Sequence, residues 1–339
     1  MAADLAVALG PLQLKNPVIC ASGEHVMTEA SLRAAIDAGA AAVVAKSAGG
    51  SKAARRQLDG AEYASLGPDW RRDADDAAAP GSSLLNRSGL VDAPFDGWSQ
   101  MLARVDGYAA TRGAYVVGSV LPDTPEQAPV LAARMQAAGL RWIELNLSAP
   151  HATEADGRIL RCEEPAAVAA VTRSVRAVVD GVLTVKLTSE TADVVALAAA
   201  AREAGADVVA MCGRRMAFLP ALDGSRPVLG TFGAIGGSWE LPLTLRWIAK
   251  TRLRLGAALP VVGTGGARRG LDVARFLLAG ASAVQLATVV HVHGFAALSA
   301  ARDELADYLS QRGCSAQELV GLAADAAVSY DEAALSPSP

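Results

Sequence analysis

Two lysines close strand-like runs in a chain that otherwise avoids lysine: five lysines stand against 26 arginines. Lys46 ends AAVVAK and Lys186 ends VLTVK. An ammonium is a compact point charge that can stabilise an anionic ring or a developing oxyanion. The competing reading is a lysine that reaches outward from a strand end. Residues 144–151, ELNLSAPH, place Asn146, Ser148 and His151 at the polar end of another apolar run, and Ala149 interrupts them. His151 is a candidate for proton transfer, with a structural histidine as the alternative. Gly263-Thr264-Gly265-Gly266 follows a further strand-like run. Such glycines let backbone N–H groups point at an oxyanion, which makes a phosphate cradle, or they form a tight turn. Cys212-Gly213-Arg214-Arg215 adds two guanidiniums. They can clamp a carboxylate or phosphate, or lie on a solvated loop.

These residues need a scaffold that gathers strand ends. Strand-like runs occur at 18–21, 42–46, 115–119, 142–146, 183–187, 208–212, 260–263 and 283–286, with alanine-rich helical patterns between most of them. Three helical patterns end in an AGA join, where the glycine stops the helix before the next strand. Eight strands alternating with eight helices predict a (β/α)8 TIM barrel with an N-terminal β-hairpin. An open doubly wound sheet is the alternative, but no G-x-G-x-x-G follows the first strand. The barrel takes residues 1–314 as a single domain, and 315–339 form a C-terminal helix and tail. Connections 47–94 and 213–238 are too long for turns, and both leave the C-terminal face, where barrel enzymes keep their sites.

Bulk properties narrow the class. A net charge of −4 gives no basic field for nucleic acid. Cys20, Cys162, Cys212 and Cys314 lack the spacing of a metal site or disulfide framework. His291 and His293 open a helix with no third ligand apparent, so no metal is expected. No apolar run is long enough to span a membrane, and the start lacks the basic region of a secretory signal. The expectation is a cytoplasmic protein. No G-x-S-x-G, H-E-x-x-H or Walker pattern is present, which argues against hydrolysis and nucleotide-triphosphate chemistry.

Seven segments in order resemble the dihydroorotate dehydrogenase family: NPVICASGEHVMT, AKS, LLNRSGL, ELNLSAPH, VKL, FGAIGG and VVGTGGARRGLDVARFLLAGASAVQLAT. The likeness is greatest to its soluble, single-subunit class, and the related domain of dihydropyrimidine dehydrogenase is also similar. The resemblance implies an FMN-binding barrel and a homodimer. It implies that Ala21, Ser22, Gly23, Lys46, Ser47, Asn146 and Lys186 lie along the flavin. Gly236, Gly237, Gly265, Gly266, Ala287 and Thr288 would hold the cofactor, the last four at its phosphate. Asn86, Gly89, Leu90 and Asn146 would meet the substrate. In the family a base takes a carbon-bound proton while hydride passes to the flavin.

The chain departs from that pattern twice. The family carries its base, Cys or Ser, at the position of Ala149, and alanine has no titratable atom. After the sixth strand the family has a ring-binding Asn, where this chain reads CGRRM. Lys46, His151 and Cys162 are the remaining catalytic candidates, and Arg214 and Arg215 are candidate substrate residues. The expected activity is hydride transfer on a small, anionic cyclic metabolite other than dihydroorotate. The alternatives are a dihydroorotate dehydrogenase that uses His151 or Cys162 as base, and a non-redox barrel acting as binding protein, lyase or isomerase.

Overall fold

Strands β1 (Val7–Leu9) and β2 (Leu12–Leu14) pair antiparallel as the expected hairpin, turning at Gly10 with φ 59°. The computed structural model describes residues 3–49, 55, 60–72, 83–149 and 160–329. In chain order there follow β3 (Val18–Cys20), β4 (Ala42–Val44), β5 (Glu62–Leu66), β6 (Ser83–Arg87), β7 (Tyr115–Val120), β8 (Trp142–Asn146) and β9 (Val182–Lys186). Then come β10 (Val208–Met211), β11 (Arg215–Ala217), β12 (Gly233–Gly237), β13 (Val261–Thr264) and β14 (Ala283–Leu286). Eight of them close a parallel barrel in the order β3-β4-β7-β8-β9-β10-β13-β14, each hydrogen-bonded to the next and β14 back to β3.

Parallel strands covered on both faces read as near-continuous apolar runs. Val18–Cys20, Ala42–Val44 and Ala283–Leu286 are accordingly buried at every position. Helices pack outside them, among them Glu29–Asp37, Phe95–Ala110, Val194–Glu203, Leu241–Leu255 and Gly270–Leu278. Thr28 and Asp193 cap the first and third of these with side-chain oxygens. The AGA joins work as expected: Gly39, Gly205 and Gly280 have φ of 97°, 101° and 110°, a conformation that ends a helix without strain only at glycine. A short helix that the pattern did not show precedes the last long one. Thr288–His293 stops at Gly294, φ 69°, and a second helix runs Ala296–Arg312.

The two long connections are not plain loops. They meet over the barrel mouth as a four-stranded antiparallel sheet in the order β11-β12-β6-β5. Leu66, Leu85, Leu229 and Ile235 form a small apolar core of their own. This lid sets Asn86 opposite Ala234 and Arg215 opposite Ile235. At the other end of the chain, the short helices Ala316–Leu319 and Leu322–Asp325 pack on the barrel rather than hanging loose. The Gly321 N–H bonds to Leu277 O, and Arg252 pairs with Asp325.

Candidate active site

Under the mouth, the barrel interior carries a chain of polar side chains. Asn146 Nδ2 is 3.5 Å from Ser47 Oγ, which shares a hydrogen bond of 2.9 Å with Ser119 Oγ. Ser119 also donates to Glu144 Oε1 at 3.0 Å. Glu144 Oε2 accepts from Gln285, and Gln285 Oε1 faces Lys186 Nζ at 3.4 Å. Four strands and the segment after β4 thus supply one connected floor in which each buried polar group has a partner. Lys186 ends this floor at the mouth.

Two cavities open above it. Ala21, Ser22, Gly23, Lys46, Ser47, Asn146 and Lys186 line the first, together with the lid residues Asn86, Gly89 and Leu90. Gly236, Gly237, Gly265 and Gly266 line the second. Arg214, Thr264, Ala287 and Thr288 border both. The fold therefore brings nearly all the sequence candidates to one trough at the C-terminal face of the barrel. Two fall outside its lining. Cys162 is buried and lines neither cavity, and burial pushes its thiol up to about 11. Arg215 lines neither cavity and instead faces Glu240, Nε to Oε1 4.0 Å. A base has to reach the reacting proton, and Cys162, whose N–H bonds to Leu147 O, sits behind the described lining. His151 lies outside the described residues.

Ala149 lines the first cavity, so the position that the family fills with its base borders the space in which the chemistry would occur. On the lid side stands a cluster that sequence reasoning did not assemble. Lys46 Nζ is 2.9 Å from Glu24 Oε1 and 2.8 Å from Ser88 Oγ. The Ser88 hydroxyl donates to the same carboxylate oxygen, and the Tyr63 hydroxyl donates to the other. Burial pulls the Lys46 ammonium below its usual range, and Glu24 partly restores it. For Glu24, burial pushes the carboxyl up, but Lys46 and the Ser88 hydrogen bond outweigh it and hold the group below the usual carboxylate range. Lys46, Ser88 and Tyr63 line the first cavity, with Glu24 behind them. No short-range pattern joins residues 24, 46, 63 and 88; the barrel mouth pairs Glu24 with Lys46, and the lid adds Tyr63 and Ser88.

Arg214 is the second departure made concrete. Its Nη1 donates to Asn86 Oδ1, so the guanidinium and the lid amide act as one unit across the cavity. Burial lowers the Arg214 pKa while Glu24 and Glu240 favour the charged form. His25 Nε2 donates to Ala21 O at 3.0 Å, leaving Nδ1 as a buried acceptor without a hydrogen bond. Burial drives this histidine down to about 4, so it is a neutral imidazole. His291 stacks on Tyr63 with ring centroids 4.1 Å apart, and burial lowers its pKa as well. Among the described residues no group of three or more His, Cys, Asp or Glu side chains could hold a metal ion.

The second cavity fits a phosphate-bearing cofactor. Gly266 has φ 91°, and a Cβ there would come within 2.3 Å of Leu241 N, so only glycine keeps this wall open. The cradle follows β13 and adjoins β14, the place where barrels hold phosphate. A barrel with such a cradle beside a cationic cavity defines a class: enzymes that anchor a phosphate-bearing cofactor at the mouth and work on a small molecule next to it. The chain belongs to the dihydroorotate dehydrogenase family, whose sequence pattern matches residues 4–309. It is a flavin-dependent oxidoreductase, and FMN is its cofactor. The non-redox alternative is thereby set aside.

Relatives include proteins from Pyrococcus furiosus, 32% identical over 94% of this chain and 99% of theirs, and Pyrococcus abyssi, 33% identical over the same shares. A relative from Bacteroides thetaiotaomicron is 29% identical over 94% of this chain and 98% of its own. All three are named as catalytic subunits of dihydroorotate dehydrogenase B (NAD(+)). That name speaks of a further subunit, where the motifs resemble the single-subunit class.

Proposed function

We propose that this enzyme moves hydride between FMN and a carbon–carbon or carbon–nitrogen bond of a small, anionic cyclic metabolite other than dihydroorotate. The observation that carries the reading is Ala149 in the lining of the first cavity. A positioned base is worth roughly a hundred- to ten-thousand-fold in rate, and that position offers none.

FMN, when bound, supplies the hydride chemistry. Ala287, Thr288 and the glycines of the second cavity take its phosphate end. Ala21–Gly23, Ser47, Asn146 and Lys186 take the ring, with Lys46 beside it. The substrate sits under Gly89 and Leu90, read by Asn146 Nδ2 and by the Arg214–Asn86 unit. In place of a neutral ring-binding amide, that unit presents a charged, planar donor suited to a carboxylate or phosphate. Arg215 steadies this corner through Glu240 rather than touching substrate.

A second reading, oxidation of dihydroorotate with a substitute base, draws on Ser88. Its hydroxyl lines the cavity and already shares its proton with Glu24. Anaerobic mixing of the holoprotein with dihydroorotate separates the two readings. The proposal expects little flavin bleaching in the wild type and a gain of at least about a hundredfold in Ala149→Cys. Prompt bleaching of the wild type supports the second reading, and its loss in Ser88→Ala would identify the base.

In this reading the relatives' name extends to assembly: the chain works with a further subunit, and the homodimer implied by the motifs is at most one part of the complex. Among the described residues no helix is long and apolar enough to cross a membrane, and a cytoplasmic location is proposed on the sequence alone.

A further inference from the structure

One buried carboxyl in the trough enters the account above only as the partner of Arg215. Glu240 ends the 3-10 turn Ser238–Glu240 that leads from β12 into the helix Leu241–Leu255, and it is 3% exposed. It lines the second cavity and is the one acidic side chain among the described residues that do so. Its Oε2 packs on the cradle itself, 3.4 Å from the Cβ positions of both Gly236 and Gly265. A carboxylate in that place meets an incoming phosphate as charge against charge.

The surrounding groups only partly neutralise it. Arg215 Nε stands 4.0 Å from Oε1. Arg214 is committed to Asn86, while Arg268 pairs with Asp272 and Arg269 with Glu304. The other titratable lining groups are Cys212, whose thiol burial pushes up to about 12, and His293 on the helix Thr288–His293. Burial raises Glu240 to about 8, against the opposing pull of Arg215, the Gly237 N–H and Arg214. The carboxyl is therefore neutral at pH 7, and as a neutral acid it can donate a hydrogen bond to a phosphate oxygen.

We propose that Glu240 proton-gates the cofactor site: the cradle accepts the FMN phosphate while the Glu240 carboxyl holds its proton and rejects it once the proton is lost. The inference rests on the family's cofactor and not on the identity of the substrate. The second ionisation of a phosphate monoester lies near pH 6, so between pH 7 and 9 the ligand stays a dianion and Glu240 alone changes. Linkage then sets the sign. Affinity is flat below the Glu240 pKa and falls about tenfold for each pH unit above it.

The test titrates the full-length chain, stripped of flavin, with FMN and separately with riboflavin from pH 7 to 9. Flavin fluorescence is the readout. FMN should bind about tenfold more weakly at pH 9 than at pH 7, while riboflavin, without a phosphate, changes little. Glu240→Gln, permanently neutral, should bind FMN with the same affinity at both ends of the range. A wild-type FMN affinity as flat as that of the variant overturns the proposal. So does a riboflavin slope equal to the FMN slope, because the carboxyl would then be acting on the ring or the fold. None of these outcomes bears on which substrate the first cavity takes.

Discussion

Replacing Glu24 by Gln keeps the shape of the side chain and removes one negative charge from the most crowded corner of the site. Glu24 Oε1 lies 2.9 Å from Lys46 Nζ, and side-chain exposures are 7% for the lysine and 19% for the glutamate. At an effective dielectric of about 20 the gross attraction is roughly 6 kcal/mol. Hydration lost by both ions offsets much of it, and breaking a buried pair from one side costs about 3–5 kcal/mol. The residual exposure of Glu24 lowers that to about 2–4 kcal/mol. The amide adds a mismatch. Three donors converge on Glu24, from Lys46, Ser88 and Tyr63, and the Gln –NH2 group has to face one of them. For a chain of this length the loss lowers Tm by about 3–6 °C, read by thermal unfolding of the flavin-loaded protein. Lys46→Met combined with Glu24→Gln should recover part of the loss, since the lone cation is gone. If Glu24→Gln shifts Tm by less than about 1 °C, or the double variant loses the sum of the two single ones, the pair is not the electrostatic unit described.

Gly266→Ala should be purified with little or no yellow colour. The added methyl meets Leu241 N at 2.3 Å at a φ of 91°, and the cradle has to distort to hold it. Retention of a full complement of FMN by this variant would dissociate the glycine wall from the phosphate. Cys162→Ala should reduce its flavin with the active substrate at a rate within about twofold of wild type, because the thiol lines neither cavity. A fall of a hundredfold or more with an intact fold would make Cys162 the proton acceptor despite its position.

The barrel was legible because its strands are local and uniform. Val18–Cys20 or Val208–Met211 needs only a short apolar run and a following helix, and the AGA joins mark where each helix gives way. The glycine loop at the mouth was legible for the same reason, since Gly265 and Gly266 follow their strand directly and line the second cavity. The lid was not. Its strand β12 reads GAIGG, poor in strand-forming residues, and it pairs with β6 across some 150 positions. No sequence window contains both partners. The Glu24–Lys46–Ser88–Tyr63 cluster was hidden with it. Cys162 stands near ELNLSAPH in sequence, and that nearness does not put it in the lining of either cavity. Glu240 gave no signal, because a single acidic residue at a helix start is ordinarily a cap on a solvated surface.

The central claim is that the family's proton acceptor has been removed and its substrate pocket rebuilt around Arg214. Anaerobic single-turnover mixing of the yellow wild-type protein with dihydroorotate tests it directly, with flavin absorbance followed over time. The account predicts that the flavin stays oxidised, or bleaches at least about a hundredfold more slowly than in Ala149→Cys. Prompt bleaching of the wild type, no slower than that of the variant, would contradict it and make this chain an ordinary dihydroorotate dehydrogenase with a relocated base.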